Sequence, residues 1–421
     1  MLYFYKTSRT AFTKMGSTLA SLDAVDLGKH AVRSLIHKAD IDPALIDEVI
    51  LGCVSQPANA ANIARVIALR SGISESTIAS TVHRNCASGM EAITSAYERL
   101  SANKGSLFVV GGTESMSQCP FLYRQSAIQK FTQLQRARSP LSKLQAAMAF
   151  RPRDFSPIVA LRLGLTDPFT AMNMGDTAEL LARECDISRE DQDNFALQSQ
   201  LKAAKAQELL NQEIDPIFHH GKSIAADNGI RSDSSLESLA KLRPVFDKKG
   251  GTVTAGNSSQ ITDGSAVLLV GSSSAQQFGL EPIGRLRAYA YAGLAPERMG
   301  LGPVFAMQKL FKETGLRLDQ ADVIEINEAF AAQVIACTKT AESESLARKF
   351  GLDGPLCNEF PIDRLNPRGG SIALGHPVGA TGARLVLSAL DQLQKNDKQH
   401  ALTTLCVGGG QGAALWIERL S

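Results

Sequence analysis

Cys86, Asn327, His376 and Cys406 are the residues whose type and setting point to chemistry. Cys86 stands in "HRNCASGMEA" (residues 83–92), after the β-branched run "STIASTV" and before Met90, Ile93, Tyr97 and Leu100 at helical spacing. That spacing predicts a thiol near a helix N-terminus. Unpaired N–H groups and the helix dipole there should favour a thiolate and lower the pKa from its free value of about 8.5. A lone cysteine is more often a small buried core residue, so the reading needs company. Asn327 in "NEAFA", His376 in "GGSIALGHPVGATGAR" and Cys406 in "LCVGGGQGAA" supply it, each at a polar or glycine-rich corner. Singly they have plain explanations: a helix N-cap, a turn histidine, a core cysteine.

Two phosphate-binding readings fail. "GGGQGA" lacks the GxGxxG spacing and leads into an apolar strand, with no helix to receive a pyrophosphate. "HGKS" (residues 220–223) has Pro216 where a Walker loop needs glycine.

The elements that must hold these corners alternate. "AVDLGKHAVRSLIHKA" reads as a helix, "LIDEVILGCVSQ" as a strand, "ANIARVIALRSG" as a helix and "SLFVVGGTESMS" as a buried strand. Such alternation predicts α/β layering on a largely parallel sheet. A second half from about residue 276 repeats the order. "DVIEINEAFAAQ" matches "LIDEVILGCVSQ", "GHPVGATGARLVLSALDQL" matches "HRNCASGMEAITSAYERL", and "ALTTLCVGGGQG" matches "SLFVVGGTES". The chain therefore reads as a duplicated α/β unit with an insertion in its first copy. Corners after equivalent strands then share one rim, where α/β folds bind ligands.

The 421 residues, 44% hydrophobic, suffice for two or three packed units. A net charge of +2 gives no global argument for nucleic acid. The basic surplus is local: residues 118–167 carry eight Lys/Arg against Asp154 and Asp167. Seven cysteines without CxxC spacing suit neither a disulfide framework nor a zinc site, so the expectation is a reducing, cytoplasmic setting and no metal. No apolar run approaches the ~18 residues needed to span a bilayer, and the N-terminus reads as a first strand rather than a signal peptide.

Taken together, the motifs resemble the thiolase family closely and over essentially the whole chain. They are "NCASGMEA", "GGTESMS", "KLRP" with "GTVTAGNSSQITDGSA", "MGLGPVFA", "EINEAFAAQ", "GGSIALGHPVGATGAR" and "CVGGGQGAA", in family order. The resemblance implies two βαβαβαββ core domains in a five-layered αβαβα sandwich with an inserted loop domain. The boundaries expected are an N-terminal core at 1–117, a CoA-binding loop domain at 118–253, the end of that core at 254–275, and a C-terminal core at 276–421.

By the same resemblance, Cys86 would carry the acyl group as a thioester and His376 would take its proton. Cys406 would exchange a proton with the α-carbon of the acetyl unit. Asn327, holding a water, and His376 would form one oxyanion hole; the N–H groups of Cys86 and Gly408 would form the other. For coenzyme A, Arg231 matches a position near the adenine, and Ser238, Ala255 and Ser259 match positions along the pantetheine and diphosphate. CoA would be a co-substrate, with no permanently bound cofactor. Two departures stand out: Asn173 where short-chain members have a histidine near the pantetheine, and Ala11 where "RTPF" is usual.

The implied reaction is reversible cleavage of 3-ketoacyl-CoA by CoA to acyl-CoA and acetyl-CoA, in fatty-acid β-oxidation. Alternatives are an acetoacetyl-CoA-specific acetyl-CoA acetyltransferase working in the condensing direction and a non-catalytic CoA- or lipid-binding subunit. The second should have lost Cys86, His376 or Cys406, and none is missing. A decarboxylating ketoacyl synthase on the same fold would lack the second cysteine. Homodimer or homotetramer assembly is the family habit. "RPRDFSPIVALRLGLTDP" is similar to long-loop bacterial members, so a hydratase–dehydrogenase α-subunit is an admissible partner, although "NEAF" stands where such subunits tend to have "HEAF". Ile128, Phe131, Leu134, Leu141 and Leu144 can form an apolar stripe for a membrane or partner, but packing within the loop domain is the favoured explanation.

Overall fold

Strands buried along their whole length build the centre of the molecule, which a computed structural model describes for residues 1–420. The principal elements of the first half are β1 (Leu2–Arg9), α1 (Ala24–Ala39), β2 (Glu48–Gly52), α2 (Ile63–Arg70), β3 (Ile78–Val82), α3 (Ser88–Ser101) and β4 (Leu107–Ser115). Helices α4 (Met174–Glu184) and α5 (Arg189–Lys205) lead to β5 (Thr262–Gly271). The second half comprises β6 (Gly284–Gly293), α6 (Gly302–Thr314), β7 (Val323–Ile326), α7 (Ala331–Glu342), α8 (Val378–Lys395), β8 (His400–Val407) and β9 (Gln411–Glu418).

The strands run in the order β7-β8-β9-β6-β1-β5-β4-β2-β3. In the first half β1 pairs antiparallel with β5, β5 antiparallel with β4, and β2 lies parallel to β4 and β3. The second half repeats that pattern: β6 antiparallel to β9, β9 antiparallel to β8, and β8 parallel to β7. The duplication read from the motifs is therefore present in the pairing. The halves join where Leu2, Tyr3 and Phe4 of β1 pair with Leu286, Arg285 and Gly284 of β6.

Strands β2, β4, β5, β7, β8 and β9 are buried on both faces, so alternate residues feed different cores. Ala266, Leu268 and Val270 of β5 enter a middle core with α3 and α8, whereas Val267 and Leu269 pack with α1 and α2. In β8, Ala401, Leu405 and Val407 share that middle core, and Leu402 and Cys406 enter an outer core with α6 and α7. Three cores between five layers, αβαβα, result. The middle layer explains the small residues around Cys86 and His376. A Cβ on Gly89 of α3 would lie 2.6 Å from the Ala383 nitrogen, and one on Gly382 of α8 would lie 2.7 Å from the Met90 nitrogen. The two helices touch backbone to backbone, which larger side chains would forbid.

Residues Cys119–Thr166 form a compact unit of their own. Its centre is Asp154, fully buried, which accepts from Lys130 Nζ at 2.5 Å, Ser126 Oγ at 2.9 Å and the Arg151 N–H at 2.8 Å. Those bonds, the Lys130 ammonium first, hold its carboxyl down at about 2. Of the apolar stripe, Phe131 packs against Tyr123, Phe150 and Phe155, while Ile128, Leu141 and Leu144 are exposed. No helix among the described residues is long and apolar enough to cross a membrane.

Candidate active site

Cys86 sits in a knitted elbow between β3 and α3. Asn85 takes the left-handed conformation, with φ of 44°, which turns the chain between strand and helix. No side chain caps α3 at Ala87; Ser88 instead ties the elbow to itself, donating its hydroxyl to the Asn85 carbonyl at 2.7 Å and accepting the Arg84 N–H at 2.9 Å. The Cys86 residue is half-buried, and the backbone N–H groups of Gly408 and of Cys86 itself reach its sulfur.

The ionisation expected from the helix terminus is corrected here. Burial pushes the Cys86 thiol up; the two N–H groups pull it down without winning, and the nearby Glu114 carboxylate adds to the rise. Desolvation acts on the whole sulfur, whereas a helix dipole fades within a turn. Cys406, at the end of β8 and 1% exposed, is pushed well above the ordinary thiol range by burial, with the Cys86 and Cys337 thiols adding to it. The two thiols of the implied reaction thus lie within electrostatic reach of each other, both held neutral.

His376 is buried just before α8, its N–H donating to the Gln260 carbonyl at 3.0 Å. Its Nδ1 is 2.6 Å from Thr381 Oγ1, and that hydroxyl donates in turn to the Pro377 carbonyl at 3.1 Å. With the Thr381 proton placed on that carbonyl, the ring proton is assigned to Nδ1 and the lone pair to Nε2. Nε2 is buried with no protein partner. Burial, aided by the Arg384 charge, pushes this imidazole down to about 4, so it is neutral and able to accept a proton.

Asn327 follows β7 and is not the N-cap of α7, since Phe330 occupies that position. Its N–H donates to the Thr404 carbonyl at 3.0 Å, and its Oδ1 accepts from Ser371 Oγ at 2.6 Å. That fixes the amide with Nδ2 buried and unpartnered. Glu328, the residue after Asn327, anchors the turn next to Ser371: its carboxylate accepts from Ile372 N at 3.2 Å, Ser199 Oγ at 2.6 Å and Asn366 Nδ2 at 2.8 Å.

The positions matched to coenzyme A are less uniformly tied to this cluster. Ser259, beside Gln260, donates its N–H to the Ala329 carbonyl at 2.9 Å and so borders the Asn327 corner. Arg231 is exposed, its N–H held by Gln200, which also reaches the Ile372 carbonyl. Lys14 stands near enough to Arg231 to feel its charge, although burial is the larger influence on it. Ser238 and Ala255 are exposed, and the Ser238 hydroxyl is spent on the Ser235 carbonyl at 2.8 Å. Asn173 caps α4, accepting the Gly175 N–H at 3.1 Å, and it is the next residue, Met174, whose sulfur lies beside Gly408.

Several site-forming residues carry no local sequence signal: Thr381 behind His376, Ser371 behind Asn327, and Glu114. The Glu114 carboxylate accepts N–H bonds from Val54 at 3.0 Å, Ser55 at 2.8 Å and Gly379 at 2.9 Å, tying β4 to the first turn of α8. The partners of Ser371 and Glu114 are distant in sequence, so only the fold reveals them, whereas Thr381 lies five residues from His376 in the same motif.

Two thiols within electrostatic reach, a neutral imidazole with a free nitrogen and an oriented amide on a duplicated α/β fold are the groups that acyl transfer through a cysteine requires. The chain belongs to the thiolase family: it matches "Thiolase, N-terminal domain" over residues 3–274 and "Thiolase, C-terminal domain" over residues 280–419. A 3-ketoacyl-CoA thiolase of Serratia proteamaculans (strain 568) is 39% identical over 417 residues, covering 97% of this chain and 95% of the relative. Among solved structures, the Bacillus anthracis acetyl-CoA acetyltransferase matches at TM-score 0.85 and 34% identity, covering 100% of this chain and 98% of that one. Human mitochondrial 3-ketoacyl-CoA thiolase in complex with CoA also matches at TM-score 0.85, with 32% identity and the same coverage.

Proposed function

We propose that this protein is a 3-ketoacyl-CoA thiolase of fatty-acid β-oxidation, cleaving 3-ketoacyl-CoA with CoA to acyl-CoA and acetyl-CoA. The observation that carries the reading is that the Asn85 Nδ2 bond to the Gly408 carbonyl, 2.8 Å, holds the Cys86 elbow against the glycine turn that follows Cys406. A ketoacyl synthase has no use for the second thiol, and a binding subunit needs neither.

In the cleavage direction the Cys86 sulfur, its proton passing to Nε2 of His376, bonds to C3 of the substrate. The C2–C3 bond breaks, its electron pair stays on C2, and Cys406 supplies the proton that completes acetyl-CoA. CoA then gives its thiol proton to the Cys406 thiolate and its sulfur takes the acyl group. The Cys86 sulfur leaves and recovers its proton from His376. Starting from neutral thiol and neutral imidazole, the charge appears only as the reaction proceeds. Preorganised donors matter for that reason: the N–H groups at Cys86 serve the C3 oxyanion, and Asn327 Nδ2, through a water, with protonated His376 serves the thioester enolate.

Lys14 and Arg231 offer cationic charge for the CoA phosphates, and Ser259, with Ser238 and Ala255 further out, would follow the pantetheine. Assembly as a homodimer or homotetramer and a cytoplasmic setting complete the reading; the seven free cysteines suit a reducing compartment. An α-subunit or membrane partner would meet the exposed Leu141 and Leu144.

The test is thiolysis of 3-ketoacyl-CoA substrates from about four to sixteen carbons, beside Cys86→Ala. Turnover across medium and long chains that vanishes in the variant supports the reading. Turnover of the four-carbon substrate alone would point instead to an acetoacetyl-CoA-specific enzyme. CoA binding without turnover at any length would overturn it.

A further inference from the structure

Two side chains of the Cys86 elbow reach into the other half of the molecule: Arg84 donates to Gln411 Oε1 at 3.2 Å, and Asn85 reaches the glycine turn next to Cys406 itself. The Asn85 Nδ2 donates to the Gly408 carbonyl at 2.8 Å. Its backbone is held in the left-handed region, φ 44°, by a carbonyl that accepts both the Ser88 N–H at 3.0 Å and the Ser88 hydroxyl at 2.7 Å. Gly408 opens a run of three glycines, of which Gly409 and Gly410 have φ of 87° and 80°. Such a run has little intrinsic preference for any one path. Beyond Asn85, the neighbour a Cβ on Gly408 would meet is the Met174 sulfur, at 3.4 Å, a flexible thioether end. A hydrogen bond at the Gly408 carbonyl therefore does what side-chain packing does not do for this glycine.

We propose that Asn85 is a positioning residue: by gripping the Gly408 carbonyl it clamps the Cys86 elbow to the glycine turn, and so keeps the Gly408 N–H within reach of the Cys86 sulfur and of the oxyanion that forms beside it. The residue immediately before the nucleophile thereby registers the nucleophile against the glycine turn that follows Cys406. Loss of the grip lets the elbow and the glycine turn drift apart, and the sulfur then loses a donor that favours its thiolate. This inference rests on Cys86 being the nucleophile of the proposed thiolase reaction.

The experiment compares wild type with Asn85→Gly, which keeps the left-handed backbone without the donor, and Asn85→Asp, which tolerates the same φ and replaces the donor by an acceptor. Two readouts are taken: steady-state thiolysis and the pH dependence of Cys86 alkylation by iodoacetamide, followed by mass spectrometry. Expected in both variants is a kcat about tenfold or more below wild type with KM for CoA unchanged, since sub-ångström misplacement of a donor has costs of that size. The alkylation limb should move to higher pH, by about half a unit or more. A merely structural role would lower the melting temperature without shifting that limb. Wild-type kcat and a wild-type alkylation limb in either folded variant overturn the proposal. Because iodoacetamide needs no substrate, a shifted limb in a protein that cleaves no 3-ketoacyl-CoA would sink the thiolase reading and leave the Asn85–Gly408 grip standing.

Discussion

At the scale of single residues, this site is governed by desolvation. Cys86, Cys406 and His376 each lie where burial favours the neutral form, and the types and corners of all three are legible in the sequence. Their ionisation is not, because it depends on layers contributed by distant segments. For His376 the sign can be worked through. The unfolded imidazole titrates near about 6.5 and the folded one at about 4. Above pH 6.5 both states are neutral and nothing is lost. As pH falls from 6.5 to 4 the unfolded chain gains a proton that the folded chain refuses, so stability drops, by on the order of 3 kcal/mol in all. A histidine resonance that is absent from His376→Asn and does not titrate between pH 8 and 5 is the expected NMR result. A midpoint near 6.5 would refute it. Asn327 offers a second case. Removing the Ser371 hydroxyl unlocks the amide whose Nδ2 is otherwise aimed. Ser371→Ala should lower kcat about tenfold to a hundredfold while KM for CoA holds, and an unchanged kcat would mean that Asn327 is oriented without it.

At the scale of elements, the repeated strand–helix units carry most of what the sequence makes plain. The segment "AVDLGKHAVRSLIHKA" is α1 to the residue, capped by Asp23, and the three paired motifs occupy equivalent strands and helices in the two halves. Local periodicity suffices there because each element presents its own apolar pattern. The contacts that set elements against one another are absent from any local pattern, and Glu114 shows why. Within "GGTES" it reads as one more polar residue at a strand end. In the fold it is a buried carboxylate satisfying three N–H groups from the 54–55 corner and the start of α8, the helix that follows His376. Burial raises its pKa, and the three N–H bonds oppose the rise. Glu114→Ala would take this acceptor from all three N–H groups, at about 1–3 kcal/mol for each that stays out of water, so thermal unfolding should begin well below the wild-type temperature. Glu114→Gln keeps part of the acceptor set and should fall between. A melting temperature for Glu114→Ala within a degree or so of wild type would show that water or a shifted backbone replaces the carboxylate.

At the scale of the whole molecule, the decisive feature is that the middle helical layer belongs to neither half. Helices α3 and α8, one from each half, share a core with β4 and β5 on one side and β8 and β9 on the other. The duplicated order of motifs reveals that there are two halves, but the β1–β6 pairing and the backbone contact of α3 with α8 join segments far apart in sequence. Neither half has a complete core without the other, so they should unfold together rather than as independent domains. Trp416, the single tryptophan of the chain, is fully buried in β9 and reports on the second half alone. Far-UV circular dichroism reports on both. The two signals should therefore give one coincident thermal transition. Leu385→Ala makes the sharper test, because Leu385 is fully buried on α8 in the shared core. The cavity should cost about 2–5 kcal/mol and lower both transitions by the same amount. If the mutation shifted the Trp416 signal alone and left an unshifted part of the dichroism transition, the halves would hold separate cores, and the middle layer would be an interface between domains.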